Sequence, residues 1–325
     1  MTVAGLLLGL ALLVGGAELL VRGAVRAAEC FGVSPLLIGL TLVGFGTSTP
    51  ELVASVQAAL IGSPGIAVGN IVGSNLANML LILGASAVIT PLAVPSRALK
   101  RDGAFVLGAT LLFVSVGLFG KLDRPVGVLF AVALVGYLIY AYRQERRSAE
   151  EHTAAFGRAE AIRHTHPALR PRPPRRLGWL VALVVAVAGL GLVIVGGRVL
   201  VESAVVLARH LGMSEAAIGL TIVAVGTSTP ELVTALVAAF RKQADVALGN
   251  VLGSNIYNLL GIGAVTALIA PTPVPPAIAR VDAPLMLGVT VLLVLFAWTS
   301  MRVGRREGAV LLALYAGYTG YQLAA

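Results

Sequence analysis

The stretch "VGFGTSTPELVASV", residues 43–56, ends an apolar run with a cluster of small polar residues, a proline and a glutamate. A second stretch, "VAVGTSTPELVTAL", residues 223–236, repeats it, and the six residues Gly-Thr-Ser-Thr-Pro-Glu are identical in the two copies. The copies lie 180 positions apart, since Glu51 corresponds to Glu231. A carboxylate within an apolar segment is costly to bury, so its duplication indicates a functional site and not a packing kink.

The composition is that of an integral membrane protein. Of the 325 residues, 58% are hydrophobic and only 12% are charged. The apolar windows are about 20 residues long, which is the length of a membrane-spanning helix, and barrel-type alternation is absent. We therefore expect an all-α integral membrane protein with ten transmembrane helices. The windows fall at 3–22, 35–60, 66–90, 103–120, 125–142, 178–200, 215–240, 245–270, 283–300 and 308–324.

The charges and the single cysteine exclude several other classes of protein. A net charge of +9 would suggest nucleic-acid binding in a soluble protein, but here the charges lie between apolar spans, where they set orientation. We expect membrane lipid and no nucleic acid as a partner, and a monomer.

Cys30 is the only cysteine, which rules out an intramolecular disulfide. The first apolar window lacks a basic segment before it and holds Glu18, so it predicts a retained helix and not a cleaved signal peptide.

The match at an offset of 180 extends over most of the chain and indicates an internal duplication. "GNIVGSNLANMLLILG" (69–84) matches "GNVLGSNIYNLLGIG" (249–263) at Gly69, Asn70, Gly73, Ser74, Asn75 and Asn78, and Asp102 matches Asp282. The predicted domains are a first five-helix repeat over 1–142, a basic Arg- and Pro-rich linker over 143–176 and a second five-helix repeat over 177–325.

Because five is odd, the second repeat must enter the membrane from the opposite side. If the linker is cytoplasmic, 19 Lys and Arg residues lie in cytoplasmic segments and four lie outside. This bias predicts periplasmic or extracellular termini in an inner (plasma) membrane. Inverted repeats with helix-breaking polar motifs at matching positions are typical of secondary transporters.

The first duplicated motif predicts a break in each helix. Pro50 and Pro230 lack an amide hydrogen and obstruct the carbonyl four residues earlier, which belongs to Gly46 or Gly226. Backbone carbonyls freed in hydrocarbon must line a cavity or find a partner, and a cation is a suitable one. The glutamate lies about one turn further along in each copy. The hydroxyls that can add ligands belong to Thr47, Ser48, Thr227 and Ser228.

The second motif, Gly-Ser-Asn, adds neutral oxygens on the following helix. Its polar residues are Ser74, Asn75 and Asn78 in the first repeat and Ser254, Asn255 and Asn258 in the second. Two carboxylates with hydroxyl, amide and backbone oxygens form a hard site that suits Ca²⁺ or Na⁺ and does not suit zinc or copper. The two glutamates carry enough charge to balance one Ca²⁺.

At these motifs the sequence resembles the cation/Ca²⁺ exchanger superfamily, and within it the prokaryotic Na⁺/Ca²⁺ exchangers. The resemblance implies four ion sites built from helices 2, 3, 7 and 8, with helices 1 and 6 sliding past them. It implies that Glu51 and Glu231 bind Ca²⁺ with the backbone carbonyls of Thr47 and Thr227. The Na⁺ ligands that it implies are Gly44, Thr47, Ser48, Ser74, Ala224, Thr227, Ser228 and Ser254. Some members have Asp where this chain has Asn258, which bears on ion stoichiometry.

The sequence therefore predicts a Na⁺/Ca²⁺ antiporter that works by alternating access, with Ca²⁺ and Na⁺ as transported ions and no cofactor. The alternative is a H⁺/Ca²⁺ exchanger that uses the same two glutamates; the extra hydroxyls favour Na⁺. An intramembrane hydrolase based on Ser48 or Ser228 lacks a histidine or lysine base in the spans, so we expect no enzyme. Interrupted helices in inverted repeats favour a transporter over a channel.

Overall fold

The computed structural model describes residues 2–31, 44–93, 102–147, 178–242, 244–300 and 302–324. Within these ranges, helices occupy all ten predicted windows. Six of the described helices are long and apolar enough to span a membrane, and a bent pair makes a seventh. The chain is thus an all-helical membrane protein, and the arrangement of ten spans in two inverted halves stays a prediction.

The first half contains seven α-helices and two short strands. They are α1 (Thr2–Cys30), α2 (Gly44–Thr47), α3 (Thr49–Leu60), α4 (Pro64–Leu76), α5 (Leu83–Ile89), β1 (Leu92–Ala93), α6 (Ala104–Leu118), β2 (Lys121–Leu122) and α7 (Arg124–Arg147). The helix α7 runs five residues into the predicted linker, because the polar residues at its end continue the helix. The rest of that linker, and residues 35–43 of the second apolar window, lie outside the described residues.

The second half repeats this order. Its elements are α8 (Gly178–Leu211), α9 (Glu215–Ile218), α10 (Ala224–Thr227), α11 (Thr229–Phe240), α12 (Ala244–Ile256), α13 (Gly263–Ile269), β3 (Thr272–Pro273), α14 (Ala283–Ser300), β4 (Arg302–Val303) and α15 (Arg305–Ala324). Apart from α1 and α8, the corresponding elements begin 179 to 181 residues apart, as α3 and α11 or α7 and α15 show.

Within the described ranges, four complete segments of π-helix interrupt the α-helices, and the sequence does not predict them. They are Ala77–Ile82, Gly219–Val223, Tyr257–Ile262 and Ile278–Asp282. The first and third follow the two Gly-Ser-Asn motifs at the same offset of 180 and carry Asn78 and Asn258. A π-turn inserts one residue into a helix and redirects the side chains beyond it, and such turns are frequent at functional sites.

The two longest helices, α1 and α8, pack against each other along their lengths. Glycines bring their backbones together: a Cβ added at Gly9 would lie 2.5 Å from the backbone nitrogen of Leu200, and one at Gly16 would lie 2.8 Å from that of Val193. Small residues allow such close approach within membranes, where water does not drive helices together.

Both helices extend beyond their predicted windows, α1 by eight residues and α8 by eleven at their C-terminal ends. The pair Glu18–Arg22 and the pair Arg198–Glu202 therefore lie within these helices, each in ion-pair contact one turn apart.

Contacts between equivalent residues show that the two halves face each other. The hydroxyls of Thr110 and Thr290, which are 180 residues apart, lie 3.5 Å from each other in the core. The strand β1 pairs with β4 and β2 pairs with β3, so each two-residue strand finds its antiparallel partner in the other half. These contacts between residues and strands related by the repeat are compatible with the predicted inverted repeats.

The glycine-rich helix α4 lies at the centre and packs against α9 and the π-segment at 219–223. A Cβ at Gly73 would lie 2.5 Å from the carbonyl oxygen of Leu220, and one at Gly69 would lie 3.1 Å from that of Ala216. The small-residue spacing that the sequence shows at 69 and 73 therefore serves close packing between the halves.

We predict that Gly73→Ala destabilises the protein, because a methyl group overlaps the backbone at Leu220 and overpacking of this kind costs about 1–3 kcal/mol. The measurement is the melting temperature of the purified protein in detergent. The matched control is Gly136→Ala in α7, where an added Cβ meets nothing within 4 Å. A melting temperature for Gly73→Ala equal to that of the control would contradict the close packing.

Candidate functional site

The polar groups of the first motif are positioned by two helix breaks. The helix α2 ends at Thr47, Ser48 forms a turn, and α3 begins at Thr49; the second half repeats this at Ser228. The axis bends by 51° at the second break. Pro50 is in the first turn of α3, where a missing amide hydrogen costs nothing. The predicted breaks at the Pro motifs are confirmed.

Threonine hydroxyls satisfy part of the backbone that the breaks expose. The hydroxyl of Thr229 donates to the carbonyl oxygen of Gly226 at 2.8 Å, and that of Thr49 donates to Phe45 at 3.2 Å. The carbonyl oxygen of Ala224 accepts the amide of Ser228 at 3.0 Å. The carbonyls that the sequence predicts to be freed are therefore partly taken up by hydroxyls of the same motif.

The two carboxylates are buried and each is bonded to a serine of the other half. Glu51 is 0% exposed and Glu231 is 1% exposed. The hydroxyl of Ser228 lies 3.0 Å from Oε1 of Glu51, and the hydroxyl of Ser48 lies 3.5 Å from Oε1 of Glu231. Since each serine also lies three residues before the glutamate of its own half, the reciprocal contacts bring both carboxylates into one cluster.

Asn258 extends this cluster to the following helix. The hydroxyl of Ser48 donates to Oδ1 of Asn258 at 3.0 Å, and the π-segment at 257–262 carries that asparagine. Its counterpart Asn78 instead donates to Oδ1 of Asn255 at 3.0 Å, which is another contact between the halves. The equivalent amides thus have different partners, and the cluster is not fully symmetric.

Two asparagines that the sequence analysis did not place in the site support the glutamates. Asn70 donates from Nδ2 to the backbone carbonyl of Glu51 at 3.0 Å and to the hydroxyl of Ser55 at 2.9 Å. Asn250, its counterpart, donates to the backbone carbonyl of Glu231 at 3.1 Å. The sequence did contain a signal for these two asparagines, because the pair Gly-Asn opens the second motif in both copies.

Asn70 also accepts from the other half. The hydroxyl of Thr227 lies 3.1 Å from Oδ1 of Asn70 and 3.0 Å from the carbonyl oxygen of Val223. A single buried amide therefore connects the glutamate helix of the first half to the helix break of the second.

The remaining predicted site residues lie on the same elements. Gly44 and Ala224 begin α2 and α10, and the side chain of Thr47 is buried at the end of α2. Ser254 donates to the carbonyl of Asn250 in its own helix at 2.8 Å, and Ser74 is fully buried in α4.

Several oxygens of these residues are buried with no hydrogen-bond donor among the residues that the structure describes. They are Oγ of Ser74 and Oδ1 of Asn75, Asn78 and Asn250. Buried polar atoms are nearly always bonded, and an exception in a polar cluster needs an explanation such as a bound ion. These oxygens are hard ligands of the kind that Ca²⁺ and Na⁺ take.

The polar cluster around the helix breaks contains two carboxylates, Glu51 and Glu231, and its other polar groups are neutral. In the described ranges, no three His, Cys, Asp or Glu side chains come together in a way that could hold a metal ion. A cation at the helix breaks would therefore be bound by two carboxylates and by neutral hydroxyl, amide and carbonyl oxygens.

Comparison with known proteins agrees with this geometry. The model of the family described as "Sodium/calcium exchanger protein" matches residues 1–143 and 181–324. The putative antiporter CaxA of Alkalimonas amylolytica is 37% identical, over 96% of this chain and 95% of its own length. The inner membrane protein YrbG of Escherichia coli is 34% identical, over 94% of this chain and 92% of its own length.

A solved structure is similar over nearly the whole chain. It is that of the sodium-calcium exchanger NCX_Mj soaked with Na⁺ and Sr²⁺, which is 33% identical with a TM-score of 0.59. The similarity covers 98% of this chain and 97% of that one.

We predict that Asn70→Ala lowers the melting temperature more than Asn250→Ala does. Asn70 bonds to three groups, Asn250 bonds to one, and each buried group left unpaired costs about 1–3 kcal/mol. The measurement is thermal unfolding of both variants in the same detergent. Equal losses would mean that the contact of Asn70 with Thr227 does not join the halves.

Proposed function

The chain belongs to the sodium/calcium exchanger protein family, and on this premise we propose that it exchanges Na⁺ for Ca²⁺ by alternating access. Membership makes it a multi-pass membrane transporter of the cation/Ca²⁺ exchanger type and not an enzyme. The choice of Na⁺ and Ca²⁺ is the proposed part. The observation that supports it most is that the hydroxyls of Ser48 and Ser228 reach the carboxylates of the opposite halves, Glu231 at 3.5 Å and Glu51 at 3.0 Å.

The proposed Ca²⁺ ligands are the carboxylates of Glu51 and Glu231 with nearby neutral oxygens. Two carboxylates balance the charge of one Ca²⁺, so a bound ion leaves the buried cluster neutral. A buried charge without such balance costs several kcal/mol. Charge balance therefore favours binding of Ca²⁺ between the two carboxylates. Na⁺ ions can replace it if they supply the same total charge.

The proposed Na⁺ ligands are the small neutral groups around the carboxylates. They are Thr47, Ser48, Ser74, Asn78, Gly44, Ala224, Thr227, Ser228, Ser254 and Asn258. Hydroxyl and amide oxygens can bind Na⁺ but do not titrate near neutral pH, so a surplus of them beyond the ligands of one Ca²⁺ favours Na⁺ over H⁺ as the coupled ion. The buried oxygens of Ser74 and Asn78 therefore support Na⁺ over H⁺ as the coupled ion.

The test is Ca²⁺ uptake into proteoliposomes under an imposed Na⁺ gradient and, separately, under a pH gradient. We expect uptake with the Na⁺ gradient and at most a small fraction of that rate with the pH gradient. Uptake driven by the pH gradient alone would replace the proposal with H⁺/Ca²⁺ exchange.

In the same assay, Glu51→Gln and Glu231→Gln should each reduce uptake by at least about 100-fold, because loss of one carboxylate leaves a bound Ca²⁺ with an unbalanced charge in a low-dielectric site. The control is Glu18→Gln, which removes a half-buried carboxylate of α1 that is paired with Arg22. Wild-type uptake by Glu231→Gln would show that the site is misplaced.

The proposed topology has ten spans in two inverted halves, 1–142 and 177–325, joined by a cytoplasmic segment at 143–176. The antiparallel pairing of β1 with β4 and of β2 with β3 supports inversion, and an inner-membrane relative supports that location. With Ser148→Cys in a Cys30→Ser background, a membrane-impermeant maleimide should label only inverted vesicles. Labelling of intact cells would reverse the orientation.

A further inference from the structure

Five exposed basic residues lie together at one end of the helices, and we call them the basic rim. They are Arg241, Lys242, Arg302, Arg305 and Arg306. The first two follow α11, and the others lie in β4 and at the start of α15. The segment after α5 joins these parts: the hydroxyl of Thr90 donates to the carbonyl of Ala239 at 2.9 Å, and β1 pairs with β4.

The basic rim lies where a membrane surface would be. Phe240 and Trp298 precede its two parts and are 70% and 68% exposed, although both belong to apolar helices. Exposed aromatic residues followed by Arg or Lys mark the boundary between hydrocarbon and headgroups. This pattern favours a position of the basic rim at the level of the lipid headgroups.

Lys242 has an unusual backbone conformation for a lysine. Its φ is +59°, in the left-handed region that glycine occupies at low cost, and its amide bonds to the carbonyl of Ala239 at 3.0 Å. The equivalent residue of the first half is Gly62, with φ +75° and an amide bonded to Ala59. The second half thus keeps a lysine where the fold favours glycine, and strain of this kind often accompanies function.

Among the described residues, the opposite end of the molecule is less basic and holds Lys121, Arg124 and Arg280 near the β2–β3 pair. Residues Lys121 and Arg124 correspond to Arg302 and Arg305 at an offset of 181, and they lie at the other end of α6 from β1. No basic residue there corresponds to Arg241 or Lys242, whose equivalents are Ile61 and Gly62. The internal repeat therefore does not by itself account for the five basic residues of the rim.

We propose that the basic rim binds the headgroup of an anionic phospholipid. Each Lys or Arg near a membrane adds to the attraction for acidic lipids, and cations at the C-terminal end of α11 also suit its helix dipole. The polar segment 143–176 is an unsuitable occupant, since it holds nine arginines and four glutamates and is itself basic. Because α11 carries Glu231 in its first turn, a bound lipid holds the far end of the helix that bears a site carboxylate.

The test measures lipid binding without transport, so it is independent of the proposed exchange activity. Purified full-length protein in dodecyl maltoside is titrated with phosphatidylglycerol, phosphatidylcholine or inorganic phosphate, and the melting temperature is recorded. We expect phosphatidylglycerol alone to raise it. Choline chloride should weaken the effect by screening, and it avoids Na⁺, which is a proposed substrate.

The variants locate the binding surface. The double variant Arg302→Gln/Arg305→Gln should need about 30-fold more phosphatidylglycerol for the same rise, from the loss of two cations. The symmetry-matched control Lys121→Gln/Arg124→Gln should respond as the wild type does. Equal responses to phosphatidylglycerol and phosphatidylcholine, or a control weakened as much as the test variant, would overturn the proposal.

Lys242→Gly gives a second, independent variant that relieves strain. It should melt at a higher temperature than the wild type without lipid, and it should need about fivefold more phosphatidylglycerol. If Lys242→Gly responds to phosphatidylglycerol at wild-type concentrations, the lysine has no part in lipid binding and the rim as defined here is wrong.

Discussion

Two carboxylates buried within an apolar protein are the constraint on which the rest of the structure depends. Glu51 and Glu231 have almost no exposed surface, and an ionised group in such surroundings must be compensated by hydrogen bonds or by a cation. The helix breaks turn polar groups toward them, the serines of the opposite halves bond to them, and Asn70 and Asn250 hold the backbone beside them. The serine and asparagine contacts orient the carboxylates with neutral groups, so the positive charge that balances the carboxylates comes, in the proposed function, from a bound cation.

The duplication explains how a single chain provides this site. Each half contributes one helix break and one glutamate, and neither half completes the cluster, because the serine that reaches each carboxylate comes from the other half. The two halves pack against each other, as the contact of Thr110 with Thr290 shows, and the two breaks meet between them. A small departure from symmetry, in which Asn78 and Asn258 bond to different partners, makes the two sides of the site inequivalent.

Sequence reasoning predicts the features that follow from local chemistry. A proline after Gly-Thr-Ser-Thr breaks a helix wherever it occurs, so the breaks at Ser48 and Ser228 were predictable, and the repeat indicates that the two motifs act together. The π-segments were not predictable, because one inserted residue leaves no periodicity that a short apolar run could show. The three contacts of Asn70 were also beyond prediction, since they depend on how α4 packs between the halves.

The central claim is that Glu51 and Glu231 form one cation site and not two. Equilibrium dialysis of the purified protein with radioactive Ca²⁺, in buffer free of Na⁺, tests it most directly through the number of ions bound per chain. The account predicts one Ca²⁺ for the wild type and its loss in both Glu51→Gln and Glu231→Gln, because each carboxylate supplies half of the balancing charge. Two bound ions in the wild type, with one retained in each single variant, would contradict it.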